Sequence, residues 1–168
     1  AIDTTTILNG VNSDGDVNAD ANMNIKAMGI FATSVNNRGN NMTLSSGNDI
    51  YISGPVVATA GTNTDLISAY VLSVAGNISN SGDMLLNATT VDLKSVSNSG
   101  AGSVLAIESL TDTSGNIGIV GDVTNSDGET TIHAKDVFVS GTMTNNSGTT
   151  TLYGSDTSGG AVQIGGIN

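Results

Sequence analysis

The sequence has 168 residues, with no cysteine, no tryptophan, one proline, one histidine and only 4 Lys plus Arg. Without cysteine, neither disulfides nor thiolate metal sites can contribute to the fold. The few basic residues stand against 15 Asp plus Glu, which gives a formal net charge of −11. No basic patch is therefore available to bind phosphates or an anionic membrane surface. No apolar run approaches the roughly 18 residues of a membrane helix. We expect no nucleic-acid partner and no membrane insertion.

What the sequence does contain is a repeated template, most clearly at residues 86–100 and 132–148. It consists of an apolar residue, an alanine two positions later, an apolar-x-apolar strand, a further apolar residue and a turn of Asn, Ser and Gly. The apolar residues that open the repeats are Ile25, Leu44, Ile67, Leu86, Ile107, Ile132 and Leu152. Those that precede the turns recur about every 22 residues, at Val11, Val35, Val57, Ile78, Val96, Val123, Met143 and Ile167.

A repeat of this length cannot bury its own apolar face. Stacked repeats can, because parallel strands about 4.8 Å apart satisfy the backbone and bring the apolar columns together inside. The alternation in Ile50-Tyr51-Ile52 is typical of a strand, and no helical apolar face persists. We expect the Asn and Gly residues of the turns to adopt positive φ. The sequence thus predicts an all-β solenoid of about eight rungs, forming a single domain over residues 1–168 or a segment of a longer solenoid.

The template, apolar-x-Ala-x-x-apolar-x-apolar with an Asn-x-Gly turn, resembles the repeats of filamentous-haemagglutinin-type proteins, which are large secreted bacterial adhesins and contact-toxin stalks. The resemblance covers Ile25 to Ile167. Repeats of that family fold as a right-handed parallel β-helix, and this resemblance favours a β-helix over other solenoids. It implies a structural or adhesive protein of a bacterial extracellular or cell-surface assembly.

An acidic stretch provides the only candidate metal site. Asp16, Asn18 and Asp20 alternate as oxygen ligands do in a calcium loop, and they resemble the start of an EF-hand or dockerin loop. The sixth position of such a loop should be glycine and is Ala21, and the twelfth should be an acid and is Ala27. A solvated acidic turn is therefore the favoured interpretation, and we expect no bound metal.

Catalytic groups do not converge in the sequence. Solenoid enzymes that cleave polysaccharides place a basic residue beside carboxylates or pair two carboxylates across a groove. The single His133 falls at an outward position, where a histidine is more often a surface residue than a catalyst. The four basic residues are spread over the second, fifth and seventh repeats: Lys26, Arg38, Lys94 and Lys135. We expect neither enzymatic activity nor a cofactor.

Aromatic residues follow the outward positions of the template. The middle residues of the apolar-x-apolar strands form one predicted outward column: Phe31, Tyr51, Ser73, Asp92, Gly118, Phe138 and Gln163. Tyr153 belongs to a second outward column together with His133. Exposed aromatic residues favour a partner, although isolated ones also occur on ordinary surfaces. Phe31, Tyr51, Phe138 and Tyr153 are therefore candidates for lateral contact with another chain or with a ligand. The alternative function is a module that recognises a surface glycan, as in a phage tail or adhesin domain.

Both terminal strands lack the charges and prolines that normally protect a sheet edge. A terminal rung that pairs with the opposite end of another copy makes a contact that does not close, and this builds a fibre. In a longer chain, neighbouring rungs would cover the same surfaces. The sequence predicts axial stacking across residues 1–15 and 155–168, through Ile7, Val11, Val162, Ile164 and Ile167.

Overall fold

A computed structural model of the chain describes residues 11–12, 16–111, 113–155 and 159–168, with only the backbone of residues 11 and 12. All regular elements in these residues are β-strands. In chain order they are β1 (Val11–Asn12), β2 (Asp16–Ala19), β3 (Met23–Ala27), β4 (Ile30–Ala32), β5 (Ser34–Asn37), β6 (Asn41–Ser46), β7 (Ile50–Ile52), β8 (Val56–Ala58), β9 (Asn63–Ser68), β10 (Val71–Asn80), β11 (Asp83–Ala88), β12 (Thr90–Asn98), β13 (Val104–Ser109), β14 (Asn116–Ile119), β15 (Val123–Asn125), β16 (Gly128–His133), β17 (Asp136–Asn145), β18 (Gly148–Tyr153) and β19 (Val162–Ile167).

The strands form a parallel β-solenoid with three faces. Face A is a seven-stranded sheet of β3, β6, β9, β11, β13, β16 and β18. Face B consists of β1, β4, β7, β14 and the first parts of β10, β12, β17 and β19. Face C consists of β2, β5, β8, β15 and the second parts of those four long strands. The predicted all-β solenoid is confirmed.

The apolar columns meet in a narrow core that runs along the solenoid axis. Ile50, Leu72, Val91 and Ile117 stack in register on face B, each at most 1% exposed. Matching columns of Leu and Ile on face A, and of Val, Ile and Met on face C, close the other two sides. Most strands alternate between buried and more exposed residues, because successive side chains of a strand point to opposite faces.

Two residues of the predicted columns are shifted by one position. Leu66, rather than Ile67, pairs with Leu44 inside face A, and Val56, rather than Val57, pairs with Val35 inside face C. A shift of one residue moves every side chain of a strand to the opposite face of the sheet. Pairing with the strands of the neighbouring turns therefore selects which of two adjacent apolar residues faces the core. Ile67 consequently lies in an outward column of face A.

The expected first rung is also different. Val11 pairs with Ile30 on face B and does not belong to the column that precedes the turns. Ile7 lies outside the described residues. Within the described residues, face A therefore has seven rungs, compared with the eight that the sequence predicts for the whole chain.

The described asparagines of the turns do not adopt positive φ, so the prediction is wrong for asparagine, whereas glycines such as Gly61 and Gly102 do adopt it. Among the described residues, only glycines have positive φ. Asn37, Asn80, Asn98 and Asn125 instead point inwards at the corner between faces C and A, where each is 0% exposed. Asn80 Nδ2 donates to Asn98 Oδ1 at 3.0 Å, and Asn98 Nδ2 donates to the carbonyl of Glu129 at 2.9 Å. This amide ladder joins successive turns and satisfies polar groups that the solenoid buries.

The corner between faces B and C is closely packed and rich in glycine. It contains Gly54, Gly76, Gly121, Gly141 and Gly165. A Cβ atom built on Gly141 would lie 2.5 Å from the backbone of Gly121 in the preceding turn. Glycine is needed here because the backbones of successive turns approach more closely than a side chain allows.

Candidate functional site

The predicted outward column lies on face B with the expected alignment. Phe31, Tyr51, Ser73, Asp92, Gly118, Phe138 and Gln163 are in register on successive turns. The three aromatic residues of this column are 48%, 40% and 46% exposed, respectively. The column therefore presents two aromatic regions, Phe31 with Tyr51 and Phe138, separated by three short residues.

Phe31 and Tyr51 stack on each other. Their ring centroids are 5.5 Å apart and the ring planes differ by 19°. The pair results from the register, because parallel pairing places Phe31 directly opposite Tyr51 on the next strand. One face of the Tyr51 ring is covered by Phe31. Ser73 follows Tyr51 in the column on the next turn, so no aromatic ring of the column stacks on Tyr51 from that side.

A groove occupies the gap between the aromatic regions. Its volume is about 300 Å³ and its lining is mainly apolar. Ser73, Asp92, Gly118 and Phe138 line it from the outward column, and Ala75, Lys94 and Val120 line it from the side next to face C. We call this feature the face B groove. Val120 is 74% exposed. It lies at a corner, where the alternation along a strand does not predict which side chains are exposed.

Two charged side chains flank the face B groove. Asp92 and Lys94 are both exposed on β12, and neither side chain forms a hydrogen bond or ion pair with another described residue. Gly118 opens the groove beyond Asp92. A Cβ atom built on Gly118 would meet only Asp92 Oδ1, at 3.3 Å. The groove thus combines aromatic, apolar and hydrogen-bonding groups on one surface.

Tyr153 lies on a different face from the other three aromatic candidates. It pairs with His133 at the end of face A, and the two rings make an edge contact with centroids 5.6 Å apart. The structure therefore brings together Phe31 and Tyr51, places Phe138 in their column and separates Tyr153 from them. Met28 and Tyr70, which the sequence did not indicate, are 53% and 60% exposed between faces A and B.

The acidic stretch does not form a cluster of ligands. Asp16 Oδ1 accepts a hydrogen bond from Ser34 Oγ at 2.7 Å, and Asn18 Oδ1 accepts one from Asn36 Nδ2 at 3.1 Å. Asp20 Oδ1 lies 3.1 Å from Arg38 Nε. Each oxygen interacts with the next turn, so the three side chains form separate links along the solenoid.

The described part of the chain contains no group of three or more His, Cys, Asp or Glu residues arranged to hold a metal ion. It also contains no helix with the length and apolarity that crossing a membrane requires.

The C-terminal turn leaves the end of the core open. Val162, Ile164 and Ile167 continue the inward columns through pairing with Val137, Val139 and Met143. Val162 is 44% exposed and Ile167 is 76% exposed, while Ile164 is partly buried against the core. A cavity of about 220 Å³ lies at this end, lined by residues that include Leu152, Ile164 and Ile167. Of the other axial candidates, Ile7 and the side chain of Val11 lie outside the described atoms.

Comparison with known proteins gives no relative for this solenoid: no family model, no curated protein and no solved structure matches the chain.

Proposed function

We propose that this chain is a structural segment of a bacterial extracellular or cell-surface assembly. Further turns of a β-solenoid continue it along its axis. The observation that carries the proposal is the open C-terminal turn, in which residues of the inward columns remain exposed. The additional turns belong either to a second copy or to a longer chain. The physical contact is the same in both cases.

The edges of β18 and β19 support axial continuation. Within the described residues, β18 pairs only with β16 and β19 pairs only with β17, so one edge of each strand has no strand partner. A parallel strand added there would satisfy these backbone groups and cover Val162 and Ile167. At roughly 25 cal/mol per Å² of apolar surface removed from water, covering such a column stabilises the contact by several kcal/mol.

The repeat template supports the extracellular assignment through its resemblance to filamentous-haemagglutinin-type repeats. A non-enzymatic role is supported by the distribution of the basic residues. Arg38 pairs with Asp20, and Lys135 Nζ lies 3.9 Å from Asp136 Oδ2. Polysaccharide cleavage uses a basic residue beside several carboxylates or two carboxylates across a groove, whereas each of these ion pairs contains a single carboxylate.

Axial assembly is tested by sedimentation velocity and electron microscopy of the wild type and of Ile164→Lys, over a range of protein concentrations. We expect the wild type to form end-to-end rods, and the lysine to prevent them by placing a charge in the buried contact. Gln163→Lys is the matched control, because it adds the same charge to the same strand on the outward face. A wild type that stays monomeric at high concentration refutes self-assembly.

Continuation within a longer chain needs a separate measurement. Two copies joined in register in one chain should melt as one unit, at a higher temperature than a single copy, because the junction buries both ends. Two independent transitions at the temperature of the single copy would show that the ends do not fit, and would refute axial continuation in this form as well.

A second candidate function is a module that binds a surface glycan. The specific observation in its favour is the face B groove, which lies between two aromatic regions of one outward column.

A further inference from the structure

We propose that the face B groove, together with the Tyr51 ring one turn beyond its Ser73 end, binds a neutral glycan, with Tyr51, Asp92 and Phe138 as the principal contacts. This inference rests on the second candidate function, and it names the ligand class and the contacting residues. It is independent of axial assembly, because these side chains point away from the core on turns that precede the open end.

The length of the site favours an oligosaccharide over a single sugar. Tyr51 and Phe138 are separated by four steps of the register, through Ser73, Asp92 and Gly118. At about 4.8 Å per step, the two rings are roughly 19 Å apart along the axis. The three residues between them have short side chains or none. A chain of several sugar rings can therefore lie along the axis with an aromatic residue at each end.

Tyr51 provides a defined stacking position for one of these rings. Because Phe31 covers only one face of its ring, a flat ligand placed over Ser73 would continue the stack on the other face. Sugar rings suit such a position, since one side of a pyranose presents C–H groups while its rim carries hydroxyls. Ligand sites commonly combine a mainly apolar lining with a few polar groups that fix orientation. The face B groove has this composition.

Asp92 and Lys94 favour a ligand rich in hydroxyl groups over an apolar protein surface. Neither side chain has a partner among the described residues, and both flank the apolar floor of the groove. An apolar protein partner would leave both charges buried and unpaired, which is strongly unfavourable. Sugar hydroxyls can donate to the Asp92 carboxylate and accept from the Lys94 ammonium, so both charges remain hydrogen-bonded.

The overall charge decides between neutral and acidic ligands. A chain with a net charge of −11 repels an acidic polysaccharide and also repels a second copy of itself approaching from the side. Only one basic residue, Lys94, lines the groove. A neutral glycan avoids both repulsions.

The proposal is tested by two-dimensional ¹H–¹⁵N NMR titration of the labelled protein. The probes are cellohexaose, maltohexaose and the N-acetylglucosamine hexamer, with polygalacturonate as the acidic comparison. We expect at least one neutral probe to shift the amide signals of residues 73–75, 92–94 and 118–120. Phe138→Ser and Tyr51→Ser should each weaken binding at least tenfold.

Gly118→Leu tests the groove by filling it, and its Cβ atom also presses on the Asp92 carboxylate, 3.3 Å away. The nearest atom to its new Cβ is the end of a flexible side chain, so the fold should be retained while the leucine fills the groove and abolishes binding. Tyr153→Ser is the matched control, because it removes an aromatic residue that is 53% exposed on another face. Its affinity for the probe should equal that of the wild type. Thermal melts confirm that each variant is folded.

Four outcomes would overturn the inference. The first is that no neutral probe shifts the groove signals. The second is binding that Gly118→Leu leaves unchanged. The third is equal binding of polygalacturonate. The fourth is broadening of the groove signals with protein concentration in the absence of sugar, which would identify a second copy as the occupant. A monomeric wild type that binds a neutral probe would refute only axial self-assembly, so failures of the two proposals are distinguishable.

Discussion

Replacing Asn98 by leucine should destabilise the solenoid far more than an ordinary polar substitution, because Asn98 lies in the middle of the buried amide ladder. Its Nδ2 donates to the Glu129 carbonyl at 2.9 Å and to Thr130 Oγ1 at 3.2 Å. Its Oδ1 accepts from Asn80 Nδ2 at 3.0 Å and from Ser103 Oγ at 2.7 Å. Leucine has a similar volume and removes all of these bonds at once.

The size of the effect follows from the partners that remain. Asn80 Nδ2 keeps its bonds to the carbonyls of Gly82 and Val104, and Ser103 Oγ keeps its bond to the Gly100 carbonyl. The Thr130 hydroxyl, which is 0% exposed, keeps no other hydrogen bond with a described residue. A buried polar group without a partner costs about 1–3 kcal/mol. Together with the lost bond to the Glu129 carbonyl, this gives an expected fall of about 3 kcal/mol in the free energy of unfolding.

The assay is urea denaturation followed by circular dichroism, with the free energy of unfolding obtained by linear extrapolation. Asn145→Leu is the matched control. Asn145 continues the same ladder and accepts from Asn125 Nδ2 at 3.0 Å, but it is exposed, so water can replace its bonds. It should lose less than about 1 kcal/mol. Equal and small losses for the two variants would refute the structural importance of the ladder.

Three further predictions concern the core, the corner and the acidic stretch. Val137→Asp should abolish folding, because it buries an unpaired charge. Phe138→Ser, on the outward side, should melt near the wild-type temperature. Similar melting temperatures for Val137→Asp and the wild type would contradict the assigned register. Gly141→Ala should lower the unfolding free energy by at least about 1 kcal/mol, because its Cβ would lie 2.5 Å from backbone atoms of the preceding turn. Gly118→Ala should change the unfolding free energy little. A larger loss for Gly118→Ala than for Gly141→Ala would be inconsistent with the packing at the corner. Calcium should leave the melting temperature nearly unchanged relative to a chelator, because Asp16 already interacts with the next turn; a large upward shift would show that the acidic stretch binds the ion.

The sequence was sufficient to predict the solenoid and the outward aromatic column, because a period-2 alternation states which side chains face the core. Phe31, Tyr51 and Phe138 consequently have the predicted alignment. The alternation does not distinguish between two adjacent apolar residues. Leu66 and Ile67 satisfy the pattern equally well, and only pairing with Leu44 and Leu86 selects Leu66.

The amide ladder and the face B groove were less accessible to prediction for a different reason. Asparagine is common both in exposed turns and in buried ladders, so Asn98 did not by itself reveal its inward orientation. The aromatic residues of the groove were predictable, but Val120 and Lys94 reach it from a corner whose length varies between turns. Their positions depend on how the chain bends between faces B and C.

The three-faced winding also determines how the molecule responds to a pulling force. Each turn is held mainly by the turns directly before and after it, so tension along the axis would detach turns from one end, one after another. A turn of about 20 residues releases roughly 70 Å of extended chain, whereas the folded turn occupies only about 4.8 Å of the rod. Each released turn therefore lengthens more than tenfold, so the molecule can extend step by step under load while the remaining turns stay folded.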